Sequence, residues 1–231
     1  MHATALPVPS QLPARPRPAI TPVGRRLAVT GLVVGAALNT AEAVLAQALP
    51  ARPEELADQL RLVSEHSTLY GVRAVLGTVA IPFMAIAFLA AARLLAERAR
   101  RTAMVAGTLL LAGMWGFVGI HLLGLLQLTA AQDPEAGAGV LAAAEASPVL
   151  TGLFLVPFLV GTALGMVVLT AGLLWTGVVA RWIPAAWLVF ILIDFSVGAV
   201  GPVDPHWLWL AGALGLAVHI ARAGDAPAAK A

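Results

Sequence analysis

The side chains best suited to chemistry stand in the least polar parts of this sequence. Asp194 interrupts the apolar run VFILIDFSVGAV (189–200), with no basic residue beside it. Glu42 follows Asn39 in NTAEAVLAQ, and His121 and Gln127 fall in a run rich in glycine and leucine. Arg73, His66 and His206 stand at the ends of similar runs. An ionisable group inside a membrane costs at least about 2.5–3.5 kcal/mol on insertion scales, so its presence is a functional hypothesis by default. An unpaired, desolvated carboxylate is suited to carrying a proton, holding a ligand or acting as a general acid. Arg73 is the natural cation to compensate Glu42 or Asp194, and His121 is suited to bond the other.

Other chemistries fail on spacing. Haem held between two histidines needs them at matched depth, whereas His121 and His219 fall in opposite halves of their runs. Glu42, His121 and Asp194 would offer zinc three ligands, but no HxxxH or HExxH spacing accompanies them. No serine stands with a histidine and an acid in a nucleophile elbow, and no glycine-rich phosphate loop is present. The chain has no cysteine, which excludes disulfides, thiolate metal sites and a cysteine nucleophile. No catalytic residue, metal or cofactor is therefore expected.

The elements that must position these groups follow from composition. Sixty per cent of the 231 residues are hydrophobic and 11% are charged, with a mean hydropathy of +0.89. Such a chain cannot cover its apolar surface with polar groups, so part of its solvent is lipid. Six apolar runs, about 27–49, 73–96, 103–129, 149–175, 183–201 and 206–222, approach the roughly 20 residues that cross a bilayer. They lack period-2 alternation, and helices satisfy the backbone inside lipid. The expected fold is an all-α polytopic membrane bundle of six transmembrane helices over residues 25–223. Residues 1–24 hold six prolines and no acid, and read as a disordered tail. Residues 224–231 form a second short tail.

Charge sets the expected orientation. With both termini cytoplasmic, Arg15, Arg17, Arg25, Arg26, Arg93, Arg98, Arg100, Arg101, Arg181, Arg222 and Lys230 lie inside, against Arg52, Arg61 and Arg73 outside. That asymmetry follows the positive-inside rule and suits a multi-pass protein of the cell membrane. The basic pI of about 9.9 thus reflects topology, and no nucleic-acid partner is implied. Trp175 and Trp182 mark the inner interface, and Tyr70, Trp207 and Trp209 the outer one. Arg25-Arg26, the following apolar stretch and Ala46-Gln47-Ala48 also fit a cleaved signal, but Glu42 is out of place there, so a retained first span is expected. Residues from Pro53 onward, with Leu56, Leu60 and Val63 on one face, predict a short amphipathic helix on the outer leaflet. The alanine-rich loop 130–148 predicts another helical turn or two.

Small residues mark where helices approach, because lipid supplies no hydrophobic drive for their association. Gly31, Gly35, Asn39, Glu42 and Ala46 make one stripe. Gly113, Gly116, Gly119 and Gly124 make a second, Pro157, Gly161 and Gly165 a third, Asp194, Gly198 and Gly201 a fourth, and Gly212, Gly215 and His219 a fifth. Such faces also suit a homo-oligomer. The polar residues ride on these stripes and share a depth, roughly 10 Å below the outer surface at 1.5 Å per residue. One outward-facing pocket of Asn39, Glu42, Arg73, His121 and Asp194 is expected, with His66, Gln127 and His206 as secondary members.

GTVAIPF (77–83) and GLFLVPF (152–158) share Gly, Pro and Phe at matching places. Either a duplicated helix pair or coincidence in apolar sequence accounts for them. Pro82 and Pro157 should each kink a helix. NTAEAVLAQ, SEHSTLYGVRAVLGTVAIPF and RLLAERARR, taken in order, resemble uncharacterised multi-pass membrane proteins of GC-rich actinobacteria. That resemblance covers most of the chain but implies no activity and assigns no residue a role. A structural or ligand-binding membrane protein is expected first. A small proton-coupled transporter using Glu42 and Asp194 comes second, and an intramembrane enzyme acting on a lipid or isoprenoid third.

Overall fold

A computed structural model describes residues 21–198 and 204–223. The expected tail positions 1–20 and 224–231, and Gly201, lie outside the described residues. Among those described, the structure is helical throughout: α1 Pro22–Gln47, α2 Leu56–Glu65, α3 Ser67–Ala96, α4 Arg100–Ala130, α5 Pro134–Glu145, α6 Pro148–Thr176, α7 Trp182–Ser196 and α8 His206–Ala223. Four of these, α1, α3, α4 and α6, are long and apolar enough to cross a membrane. Six of the helices pack as a closed ring in the order α1, α3, α4, α6, α7, α8 and back to α1.

Local signals explain the helix ends. Thr21 caps α1, its hydroxyl accepting the Gly24 N–H, and Pro22 follows in the first turn, where its missing N–H costs nothing. The expected tail thus gives way to helix at Pro22, a few residues early. Helix α3 begins at Ser67, so Arg73 lies in its second turn instead of at its start. Helix α7 ends at Ser196 because Gly198 takes a left-handed conformation (φ 73°) and its N–H reaches back to the Ile193 carbonyl. Asp194 therefore sits in the last turn of α7, nearer the helix end than expected. Gly198 acts in that turn and not in a packing stripe, since a Cβ there would meet nothing.

Helices α2 and α5 cover one end of the ring. Leu60 and Val63 of α2 bury against Leu141 of α5 and Ala131 at the end of α4. The amphipathic face expected to lie on lipid is thus covered by protein, because the alanine-rich loop forms a full 12-residue helix that supplies a partner surface. Helix α2 starts at Leu56 with Glu55 at its cap, so Pro53 precedes the helix. Arg61 joins Asp58 and Glu135 across the pair, and Glu135 leads in raising the guanidinium pKa. Such exposed ion pairs add little, so the buried leucines hold the cap.

Glycine stripes fix the ring as expected for helices in lipid. Gly31 and Gly35 bring α1 against Phe83, Met84 and Ile86, beside Pro82 inside α3. Gly113, Gly116 and Gly119 of α4 receive Phe154, Phe158 and Thr162 of α6. That part of α6 is wound as two π-helical turns, Thr151–Leu155 and Pro157–Gly161. Pro157 cannot donate a backbone hydrogen bond, which removes one regular helical rung at this place. Gly212 and Gly215 of α8 accommodate Trp187, Trp182 and Ile183 of α7. Gly124 faces open space and belongs to no contact. Gly31, Gly35, Gly113, Gly116, Gly119, Gly212 and Gly215 are thus met by neighbouring helices of the same chain. Trp209, expected at the interface, is buried against Trp187, whose indole N–H donates to the Trp209 carbonyl at 3.1 Å. Trp175, Trp182 and Trp207 are exposed.

Candidate functional site

Glu42 stands on the stripe by which α1 approaches α3, seven residues beyond Gly35. Its two oxygens meet groups from two other helices. Oε2 lies 3.2 Å from His121 Nε2 on α4, and Oε1 lies 3.6 Å from Arg73 Nε on α3. His121 is buried and Glu42 nearly so, while about a third of the Arg73 side chain is exposed. Gly77 forms the floor of this contact. A Cβ built there would overlap the Glu42 carboxylate and the His121 ring. A side chain at residue 77 would displace the Glu42 carboxylate or the His121 ring from their contact across α3.

Hydrogen-bond chemistry restricts the proton count. His121 Nδ1 lies 3.1 Å from the Phe117 carbonyl, which can only accept, so Nδ1 carries hydrogen. The Nε2–Oε2 contact is then a hydrogen bond only when one proton lies between them. Either a protonated Glu42 donates to a bare Nε2, or an imidazolium donates to the carboxylate. Arg73 stands on the other side of the carboxylate. Its Nε is buried without a hydrogen-bond partner, since 3.6 Å is too long for one. Phe117 packs edge-on against the His121 ring at 4.3 Å and stacks on Phe158 at 4.9 Å, which ties the histidine to the π-helical part of α6.

Asp194 joins a different set of partners. Its Oδ1 lies 3.9 Å from His206 Nδ1, at the first turn of α8. The closer partner of that nitrogen is Asp204, at 2.8 Å, whose Oδ1 also accepts the His206 backbone N–H at 2.8 Å. Asp204 Oδ2 accepts from Gln47 of α1 at 2.6 Å, and the Thr40 hydroxyl donates to the His206 carbonyl at 3.2 Å. Asp204 is buried and functions as the cap that starts α8. Asp194 sits near the positive end of α8, which offsets its unfavourable place at the end of α7.

The five expected pocket residues are therefore divided. Glu42, Arg73 and His121 meet; Asp194 pairs with His206, a secondary member. Asn39 is buried one turn away on α1 and belongs to neither set of hydrogen bonds. His66 lies between α2 and α3 with Nδ1 3.2 Å from the Leu62 carbonyl, a local contact. Gln127 is half-buried six residues past His121 on α4, outside both groups. Sequence reasoning missed Gly77, Asp204, Gln47 and Thr40. Asp204-Pro205-His206 carried a signal, since an acid just before a Pro and an apolar run is a helix-start signature. Among the described residues, no group of three His, Asp or Glu side chains is placed to hold a metal ion. No family model, curated protein or solved structure matches the chain.

Proposed function

We propose that this is a multi-pass protein of the cell membrane, with six crossing helices and both termini on the cytoplasmic side, and that its Glu42 cluster is an interhelical lock and ligand-binding point. The observation that carries this is the bracketing of Glu42 by Arg73 and His121 against Gly77. Charges shared by three helices hold register where lipid offers no hydrophobic drive, and removing one leaves the others buried and unpaired. Arg73, in the second turn of α3 just beyond α2, leaves about a third of its side chain exposed. A polar or anionic group of a ligand would bind there. The six-crossing topology draws support from the closed ring, in which the shorter α7 and α8 stand beside the four long helices.

Reconstitution tests the assignment. With a pH-sensitive dye inside proteoliposomes, the lock predicts no proton flux above that of empty vesicles, while Glu42→Gln lowers thermal stability. Proton-coupled transport is the second function supported, by the single proton that the His121–Glu42 contact requires. Gradient-driven flux abolished by Glu42→Gln would establish transport and reject the lock as the main role.

A further inference from the structure

The end of the ring opposite the cap carries a groove that the polar cluster does not use. It has a volume of about 530 Å3 and runs between α1, α3, α4 and α8. Leu27, Ile86, Leu89 and Met104 supply apolar walls, and Arg93 in the last turn of α3 stands among them. Leu27, Leu89 and Met104 are each about half exposed, so the groove opens sideways, onto lipid in a spanning bundle. Water has few polar partners in such a place and is a poor occupant. At this end the described residues include Arg25, Arg26, Arg93, Arg98, Arg100, Arg101, Arg181 and Arg222, against a single acid, Glu97. Arg98 is engaged with the Thr176 carbonyl at 3.1 Å, whereas Arg93 has no carboxylate within ion-pair distance among the described residues. The first turn of α1, which borders the groove through Thr21 and Gly24, contains no acid and presents the positive helix end.

We propose that this groove is a binding site for an anionic phospholipid, with one acyl chain between α1 and α3 and the phosphate on Arg93. Apolar walls suit the chain, and a guanidinium at the rim suits the phosphate, which it bonds through two parallel N–H groups. The site rests on helices crossing a membrane, and is independent of the Glu42 cluster and of which side this end faces.

Native mass spectrometry of the full chain in mild detergent tests it, with phosphatidylglycerol and phosphatidylcholine as probes. Phosphatidylglycerol should bind at least about fivefold more tightly, and Arg93→Ala should remove about that factor, the effect of one surface arginine on an anionic lipid. Ala90→Phe, which fills the groove and leaves the guanidinium, should weaken both lipids at unchanged helicity. Millimolar inorganic phosphate should not displace the lipid. Equal binding of the two lipids, an unaffected Arg93→Ala, or displacement by phosphate alone would overturn the proposal. So would a severalfold gain in lipid binding on deleting residues 1–20, which would identify the chain's own N-terminal segment as the occupant, or a dimer abolished by Ala90→Phe, which would identify a second copy.

Discussion

The two carboxylates that a sequence reader would pair, Glu42 and Asp194, are held by opposite means. Glu42 lies within three long helices, on a face where α1 approaches α3 closely enough to need a glycine opposite it. Its partners come from α3 and α4, and breaking any one of them disturbs helix packing. Asp194 lies where one short helix ends and the next begins, beside an aspartate that caps the latter. Its partners order a connection. Depth alone does not make polar groups meet: which face of which helix carries them decides, and α1 sends Glu42 one way and Thr40 and Gln47 another.

The sharpest way to break the first region while sparing the second is Gly77→Ala. The added methyl overlaps the Glu42–His121 contact, and overpacking of this kind costs about 1–3 kcal/mol. Reversible unfolding in mixed micelles measures it, with Gly124→Ala as a control within about 0.5 kcal/mol. The second region is broken best by Asp204→Ala. Loss of the cap should cost about 1–2 kcal/mol in the same assay, with hydrogen exchange fastest in the first turn of α8. Glu42→Gln comes next, at about 0.6–1.7 kcal/mol, the range of interhelical polar contacts in membranes. Asp194→Asn should cost less than about 0.6 kcal/mol, because its 3.9 Å contact is the weaker of the two that His206 makes. An Asp194→Asn loss larger than that of Asp204→Ala would reverse the assignment of the cap.

Much of the frame was legible in the sequence. Apolar length marked α1, α3, α4 and α6, and Gly31, Gly35, Gly113, Gly116 and Gly119 mark real helix contacts. What failed to show was azimuth. Spacing groups Asn39 with Glu42, but only the crossing of α1 with α3 decides that Glu42 reaches Gly77. The echo of GTVAIPF and GLFLVPF does not extend to the surroundings of its glycines. Gly77 is the floor of a polar contact in a regular helix, whereas Gly152 faces open space in a π-helical turn. Asp204 was missed because it lies in the short gap between the fifth and sixth runs and not within an apolar run, although its capping signature was present.

A double-mutant cycle tests the division of the polar groups most directly. Glu42→Leu and His121→Leu, singly and together, should show a coupling of about 0.6–1.7 kcal/mol in micelle unfolding. Glu42→Leu combined with Asp194→Leu should be additive within about 0.5 kcal/mol. Strong coupling between Glu42 and Asp194, with additivity between Glu42 and His121, would contradict the account and restore a single shared pocket.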